Sequence, residues 1–85
     1  MKYVVHLLPA ARRAFLHLPK QVQERMGPHI DAFADNPRPH GVKKLSGEHD
    51  HYRVRVGDWR IVYTIQDREL IVLVIQIGNR REVYR

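Results

Sequence analysis

The sequence contains no cysteine, which excludes a disulfide framework and any zinc site built on thiolates. A cytoplasmic, reducing location is consistent with this composition. Long hydrophobic runs are also absent, so no segment reaches the roughly 20 apolar residues that a transmembrane helix requires. The apolar run over residues 3–8 is too short for a signal peptide, and Pro9 follows it at once. We therefore expect a single domain over residues 1–85.

Acidic residues are scarce relative to basic ones, 9 against 15, which gives a formal net charge of +6. Eleven of the fifteen basic residues are arginine. Arginine stays charged at any physiological pH, and its planar guanidinium binds phosphate through paired hydrogen bonds. This balance indicates a polyanionic partner, such as nucleic acid, an anionic membrane surface or an acidic protein. On charge alone, the alternative is a basic, well-solvated surface.

Residues 52–63 have the pattern of a β-hairpin, because two runs of β-branched and aromatic residues meet at a Gly-Asp pair. Side chains alternate between the two faces of a strand, so Arg53 and Arg55 share one face and the intervening valines share the other. Arg60 lies near the start of the return strand. The hairpin is therefore predicted to present three guanidinium groups on the face opposite the core.

Two helices are predicted in the first half of the chain. Apolar side chains recur at helical spacing over residues 10–18 and again over residues 20–35. Pro19 ends the first helix and begins the second, which gives a helical hairpin. Pro28 removes a backbone donor inside the second helix, so we expect a kink or a break at Gly27-Pro28.

Strands are predicted on both sides of this helical hairpin, with a polar connection over residues 40–50. The strands cover residues 2–8, 51–57, 59–66 and 69–77. The last of them is apolar on both faces, which is typical of a central strand covered on both sides, and Gly78-Asn79 is expected to end it. The first strand buries its apolar residues best beside this one. The element order β-α-α-β-β-β predicts an α+β fold, a small, mostly antiparallel sheet with the helical hairpin packed on one face.

Four arginines are predicted to converge at one end of this sheet. Arg80 follows the last strand, and a meander places the end of that strand beside the start of the strand that carries Arg60. No acidic residue lies on the face of Arg53 and Arg55, so the four guanidinium groups are expected to raise the field where a phosphate binds. The alternative is a solvated strand face on which arginine stems cover apolar surface.

Further candidates surround this cluster. Tyr84 is suited to stack on a base or to pass a proton, and alternatively to pack on the sheet. A basic group comes from the polar connection and the strand after it: Lys43, Lys44, His49 and His51. The histidines lack the spacing of a metal site, so we expect no metal. The sequence also has no phosphate-binding glycine loop, and we expect no other cofactor. Trp59 is expected to pack at the turn, and Tyr52 and Tyr63 in the core.

Several of these segments together resemble the RelE family of toxins of type II toxin–antitoxin systems. The resemblance rests on Leu45–Gly47, Tyr52–Tyr63, Val72–Gly78 and Arg80–Tyr84, and it extends over nearly the whole chain. It implies a ribosome-dependent endoribonuclease that cleaves mRNA in the ribosomal A site by attack of the 2′-OH on the adjacent phosphate. It also implies a RelB-like antitoxin partner, operator DNA bound only through the toxin–antitoxin complex, and no membrane partner.

The resemblance implies a set of active-site positions. Carried over to this chain, they are Arg53, Arg55, Arg60, Arg80 and Tyr84. We expect contacts with RNA or the ribosome from Lys43, Lys44, His49, His51 and Arg81. In the best-known members the hairpin pair is lysine, and one lysine is thought to help activate the nucleophile. Arginine does not readily lose a proton, so the pair is expected to stabilise charge. The base is then Tyr84, a loop histidine, or no strong base at all, which fits an enzyme that relies on the ribosome to position its substrate.

Two other functions stay open on the sequence. ParE-like toxins share this fold and act by binding and poisoning DNA gyrase, although such chains typically lack the full basic set and the terminal tyrosine. The second alternative is a non-catalytic protein that is retained as an antitoxin-bound regulator.

Overall fold

The computed structural model describes residues 2–45 and 51–79. Within these residues the chain forms two helices and five strands. The helices are α1 (Pro9–Leu16) and α2 (Lys20–Ala32). The strands are β1 (Val4–Leu7), β2 (Lys43–Lys44), β3 (His51–Val56), β4 (Trp59–Gln66) and β5 (Ile71–Asn79). Neither of these helices has the length and apolarity needed to cross a membrane.

The five strands form one sheet in the order β1-β5-β4-β3-β2. Strand β1 runs parallel to β5, with Val4 beside Ile71, and every other neighbouring pair is antiparallel. The predicted α+β fold is therefore confirmed, together with the position of the first strand beside the last. Strands β1 and β2 form the two edges, so the hairpin of β3 and β4 lies toward the β2 edge.

The hydrophobic core lies between one face of the sheet and the two helices. Ala11, Met26 and Phe33 contribute from the helical side, and each is at most 1% exposed. Tyr52 and Tyr63 pack on the same face of the sheet, and the Tyr63 ring lies 4.2 Å from the Phe33 ring between centroids. Both tyrosines are thus core residues, as predicted. Trp59 is partly buried against the same core, in line with the packing role expected for it.

The break expected at Gly27-Pro28 is absent. Helix α2 continues from Lys20 to Ala32 with Pro28 inside it. Met26 and Ile30 are buried on either side of the proline and hold both halves against the core, while Pro28 itself is exposed. Packing of this face therefore outweighs the loss of one backbone hydrogen bond.

Two strand predictions were also wrong in detail. Lys43–Lys44 form a short strand where a polar connection was expected, because their backbone pairs with β3. Strand β5 continues through Gly78 and Asn79, since Arg60 and Trp59 of β4 pair with them.

The described helices cover only one face of β5, and the side chains on its other face, such as Leu73, are half-buried rather than enclosed.

Candidate functional site

The hairpin of β3 and β4 brings its arginines together through its register. Arg55 lies directly opposite Arg60, and Arg53 lies two residues further along the same face of β3. Directly opposed residues on antiparallel strands project to the same face of a sheet. Gly57 makes the tight turn possible, since its φ of 61° lies in the left-handed region that side chains disfavour. The three guanidinium groups therefore share the face that the helices leave open.

Strand β2 adds a lysine to this face. Lys43 lies opposite Arg53, and Lys44 lies opposite the core residue Tyr52. Neighbouring residues on a strand point to opposite faces, so only Lys43 joins the arginines. His51 has the same strand parity as Arg53 and lies opposite Thr64, farther from the turn. The structure thus separates two lysines that the sequence analysis treated as one group.

Lys43, Arg53, Arg55 and Arg60 line one pocket together with Gly41, and we call it the arginine pocket. Its volume is about 230 Å³. Arg60 forms its buried wall and is only 9% exposed, whereas Arg55 and Lys43 are exposed at its mouth. Gly78 lies opposite Arg60 on β5 and carries no side chain that could crowd it. The pocket therefore combines an entrance lined by exposed cations with one buried arginine, Arg60.

Like charges and burial act on the same group in this pocket. Burial, followed by the positive charges of Arg60 and Arg55, lowers the pKa of Arg53 from its ordinary value. A lowered arginine pKa means that burial and the neighbouring positive charges disfavour the charged form, although arginine remains protonated at physiological pH. A bound anion would relieve this repulsion, so the electrostatics favour an anion over a cation or a neutral group.

The segment that leads into β2 is anchored to the sheet at two points. The Tyr63 hydroxyl donates a hydrogen bond of 2.7 Å to the carbonyl oxygen of buried Pro37. Arg38 donates two hydrogen bonds to the carboxylate of Asp67, of 2.9 and 3.2 Å, and its guanidinium lies 5.3 Å from the centre of the Tyr52 ring. These contacts set where the chain leaves the core, and hence where Lys43 enters the pocket.

The Arg38–Asp67 pair also perturbs its carboxylate. Hydrogen bonds from Arg38 and then from Tyr3 lower the pKa of Asp67 to about 2. The pairing joins the loop after α2 to the turn between β4 and β5. Sequence analysis missed both Arg38 and Asp67, because 29 residues separate them and no local pattern links them.

Four of the predicted site residues lie outside the described residues. They are His49, Arg80, Arg81 and Tyr84. The described part of the site therefore consists of the arginine pocket, and the roles expected for these four residues stay predictions.

This chain is similar in sequence to known toxins. A family model described as the ParE toxin of type II toxin–antitoxin systems, parDE, matches residues 5–84. A RelE-like toxin protein of Escherichia coli is 30% identical over 82 residues, which cover 94% of this chain and 85% of that protein. Toxin RelE1 of Methanocaldococcus jannaschii is 26% identical over 88 residues, and the match covers 100% of this chain and 98% of that protein.

The fold also agrees with a solved structure. The archaeal RelE–RelB complex of Pyrococcus horikoshii OT3 contains a chain that is 28% identical to this one, with a TM-score of 0.84. The match covers 96% of this chain and 99% of that chain. Because the family model spans nearly the whole sequence and the E. coli relative is similar over most of its length, this chain belongs to the RelE/ParE family of toxins of type II toxin–antitoxin systems, as a RelE-like member.

Proposed function

We propose that this toxin is a ribosome-dependent endoribonuclease that cleaves mRNA in the ribosomal A site and thereby inhibits translation in the cytoplasm. Residues 1–85 act in this proposal as one toxin domain. The observation that carries it is the arginine pocket, in which three guanidinium groups and one ammonium group surround a space of about 230 Å³. Its described lining contains no carboxylate, as a site for a phosphodiester requires.

The chemistry proposed for this pocket is attack of a ribose 2′-OH on the adjacent phosphate. The negative charge on the phosphate oxygens grows as the new P–O bond forms. Preorganised donors aimed at that charge lower the barrier without reorganising during the reaction. Arg60 is the buried arginine of the pocket and Arg55 is an exposed one, and in this proposal their guanidinium groups bind different oxygens of one phosphate. In this mechanism the ribosome aligns the mRNA, which supplies the orientation that a small protein provides poorly.

The proposed protein partner is a RelB-like antitoxin. Several structural neighbours are RelE chains in complex with RelB, including the P. horikoshii complex. The net charge of +6 fits an acidic antitoxin segment. In this proposal operator DNA is bound only by the toxin–antitoxin complex. Titration of the toxin with the antitoxin encoded beside it should abolish growth arrest and mRNA cleavage at equimolar amounts.

Cleavage on programmed ribosomes tests the proposed activity. The purified toxin is added to ribosomes with a defined codon in the A site, and the mRNA ends are mapped by primer extension. We expect cleavage within that codon, reduced roughly 10²–10³-fold by Arg55→Ala, because one stabilising donor is lost. Arg68→Ala is the matched control, since Arg68 is exposed at the turn between β4 and β5, away from the pocket. Intact mRNA on toxin-bound ribosomes would refute the proposal.

Gyrase inhibition is the second candidate, because the matching family model is that of the ParE toxin. A supercoiling assay with the same protein preparation distinguishes the two. Loss of supercoiling with translation untouched would favour gyrase as the target. If Arg55→Ala arrests growth as strongly as the wild type and neither assay responds, the chain is a non-catalytic, antitoxin-bound regulator.

A further inference from the structure

Lys43 differs chemically from the other cations of the arginine pocket. Arginine keeps its proton throughout the physiological range, so Arg53, Arg55 and Arg60 supply fixed positive charge. A lysine ammonium can give up a proton to a strongly basic oxygen and regain one from water. The described pocket lining thus contains three groups that hold charge and one that can also transfer a proton.

The placement of Lys43 is built into the fold. Its backbone pairs with Arg53 at the edge of the sheet, which directs its side chain to the pocket face. The preceding loop is held by the Tyr63–Pro37 hydrogen bond and by a turn at Gly41, whose φ of 88° suits glycine. The side chain is also exposed, so water can reach its amine. Lys44 has none of this access to the pocket, since it lies opposite Tyr52.

We propose that Lys43 is a catalytic residue that protonates the leaving 5′-oxygen during RNA cleavage. This inference rests on the proposed ribonuclease function. The 2′-oxygen forms a bond to phosphorus, its proton passes to water, and the bond from phosphorus to the 5′-oxygen breaks. The 5′-oxygen takes a proton from the Lys43 ammonium, which leaves a 2′,3′-cyclic phosphate, a 5′-hydroxyl and a neutral amine. Water then returns the amine to the ammonium form.

The division of labour within the pocket follows from its geometry. Arg60 forms the buried wall, so it is suited to bind the non-bridging phosphate oxygens on which charge accumulates. Lys43 comes from the edge strand and is exposed, so its ammonium can reach the leaving oxygen of a phosphodiester that is bound by the buried Arg60. Protonation of the leaving group is the need that three arginines do not meet, and general acids typically contribute roughly 10²–10⁴-fold to such steps.

Changing the leaving atom tests this role directly. Single-turnover cleavage is measured on ribosomes that carry mRNA with either the natural 5′-oxygen or a 5′-sulfur at the scissile bond. A thiolate leaves without protonation, so a missing general acid slows only the oxygen substrate. We expect Lys43→Met and Lys43→Arg to cleave the oxygen substrate roughly 10²–10⁴-fold more slowly and the sulfur substrate within a few-fold of the wild-type rate.

Lys2→Met is the matched control, because Lys2 lies beside β1 at the opposite edge of the sheet with its side chain 79% exposed. It should cleave both substrates like the wild type, and circular dichroism should show that all variants fold. Wild-type cleavage of the oxygen substrate by either Lys43 variant would overturn the inference. So would equal slowing on both substrates, which indicates binding or positioning. If the wild-type toxin cleaves neither substrate, the proposed ribonuclease function is wrong and the role of Lys43 falls with it.

Discussion

Replacing Tyr63 with phenylalanine tests how the fold holds the segment that leads to Lys43. Tyr63 is fully buried, and its hydroxyl donates a 2.7 Å hydrogen bond to the carbonyl oxygen of Pro37. Phenylalanine keeps the ring that packs 4.2 Å from the Phe33 ring between centroids. The substitution therefore removes the hydrogen bond and leaves most of the core packing in place.

The magnitude follows from what is left behind. A typical internal hydrogen bond contributes about 1 kcal/mol to stability, and a buried acceptor without its donor raises the loss toward 3 kcal/mol. Since Pro37 is buried, we expect Tyr63→Phe to lower the free energy of unfolding by about 2 kcal/mol. For a domain of this size each kcal/mol lowers the melting temperature by roughly 4–8 °C. Urea unfolding followed by circular dichroism measures the change.

The control and a second measurement make this prediction sharper. Tyr52→Phe removes a hydroxyl that accepts only a long 3.4 Å bond from Arg38, so its cost should be well below that of Tyr63→Phe. Burial raises the pKa of Tyr63 above its ordinary value of 10.0. The associated stabilisation is complete below pH 10.0 and is lost as the pH rises through the folded-state pKa, a dependence that Tyr63→Phe removes. Equal stability of Tyr63→Phe and the wild type would refute the reasoning.

Two further predictions concern stability away from the pocket. Arg38 and Tyr3 hold the pKa of Asp67 at about 2, against an ordinary value of 3.8. The stability that this group contributes is therefore present above pH 3.8 and lost as the pH falls through 2. Asp67→Asn should be less stable than the wild type at pH 7, and the difference should shrink as the pH falls from 3.8 through 2 in urea titrations. Gly57→Ala should cost about 1–2 kcal/mol by urea unfolding, because alanine is strained at a φ of 61°.

The outcomes that would contradict these two predictions are distinct. A difference between Asp67→Asn and the wild type that persists unchanged at pH 2 would mean that the carboxylate charge is not its cause. A Gly57→Ala variant as stable as the wild type would mean that the hairpin turn tolerates a side chain. The Arg25 guanidinium, which a Cβ at residue 57 would meet at 3.4 Å, is the end of a flexible side chain and can move aside.

Much of the fold follows from local pattern. The alternation of arginine and valine on β3 predicts which side chains face the core, because the strand period of two allows no other arrangement once the valines are buried. The apolar run of β5 predicts an interior strand, and β5 lies between β1 and β4, although the described helices cover only one of its faces. The helix prediction placed both helices but extended each a few residues too far at its end, and it allowed a break at Pro28 that is absent because the burial of Met26 and Ile30 outweighs the local rule.

The arginine pocket could be predicted only in part. The pairing of Arg55 with Arg60 follows from a tight hairpin and was expected. The membership of Lys43 and the exclusion of Lys44 were not, because a two-residue strand has no periodicity of its own and becomes a strand only when a neighbour pairs with it. The burial of Arg60 likewise depends on what surrounds it rather than on its sequence neighbours.

The sequence by itself thus determined which residue types are present and how they are spaced: an excess of arginine, an alternation of arginine and valine, two segments with helical spacing of apolar residues, and no cysteine. These are properties of composition and short-range spacing, which survive in any conformation of the chain. Only the tertiary structure decided which cations meet in one pocket and which of the two neighbouring lysines lines it. That selection needs contacts between residues far apart in the chain, such as Tyr63 with Pro37 and Arg38 with Asp67, and such contacts exist only once the core has formed.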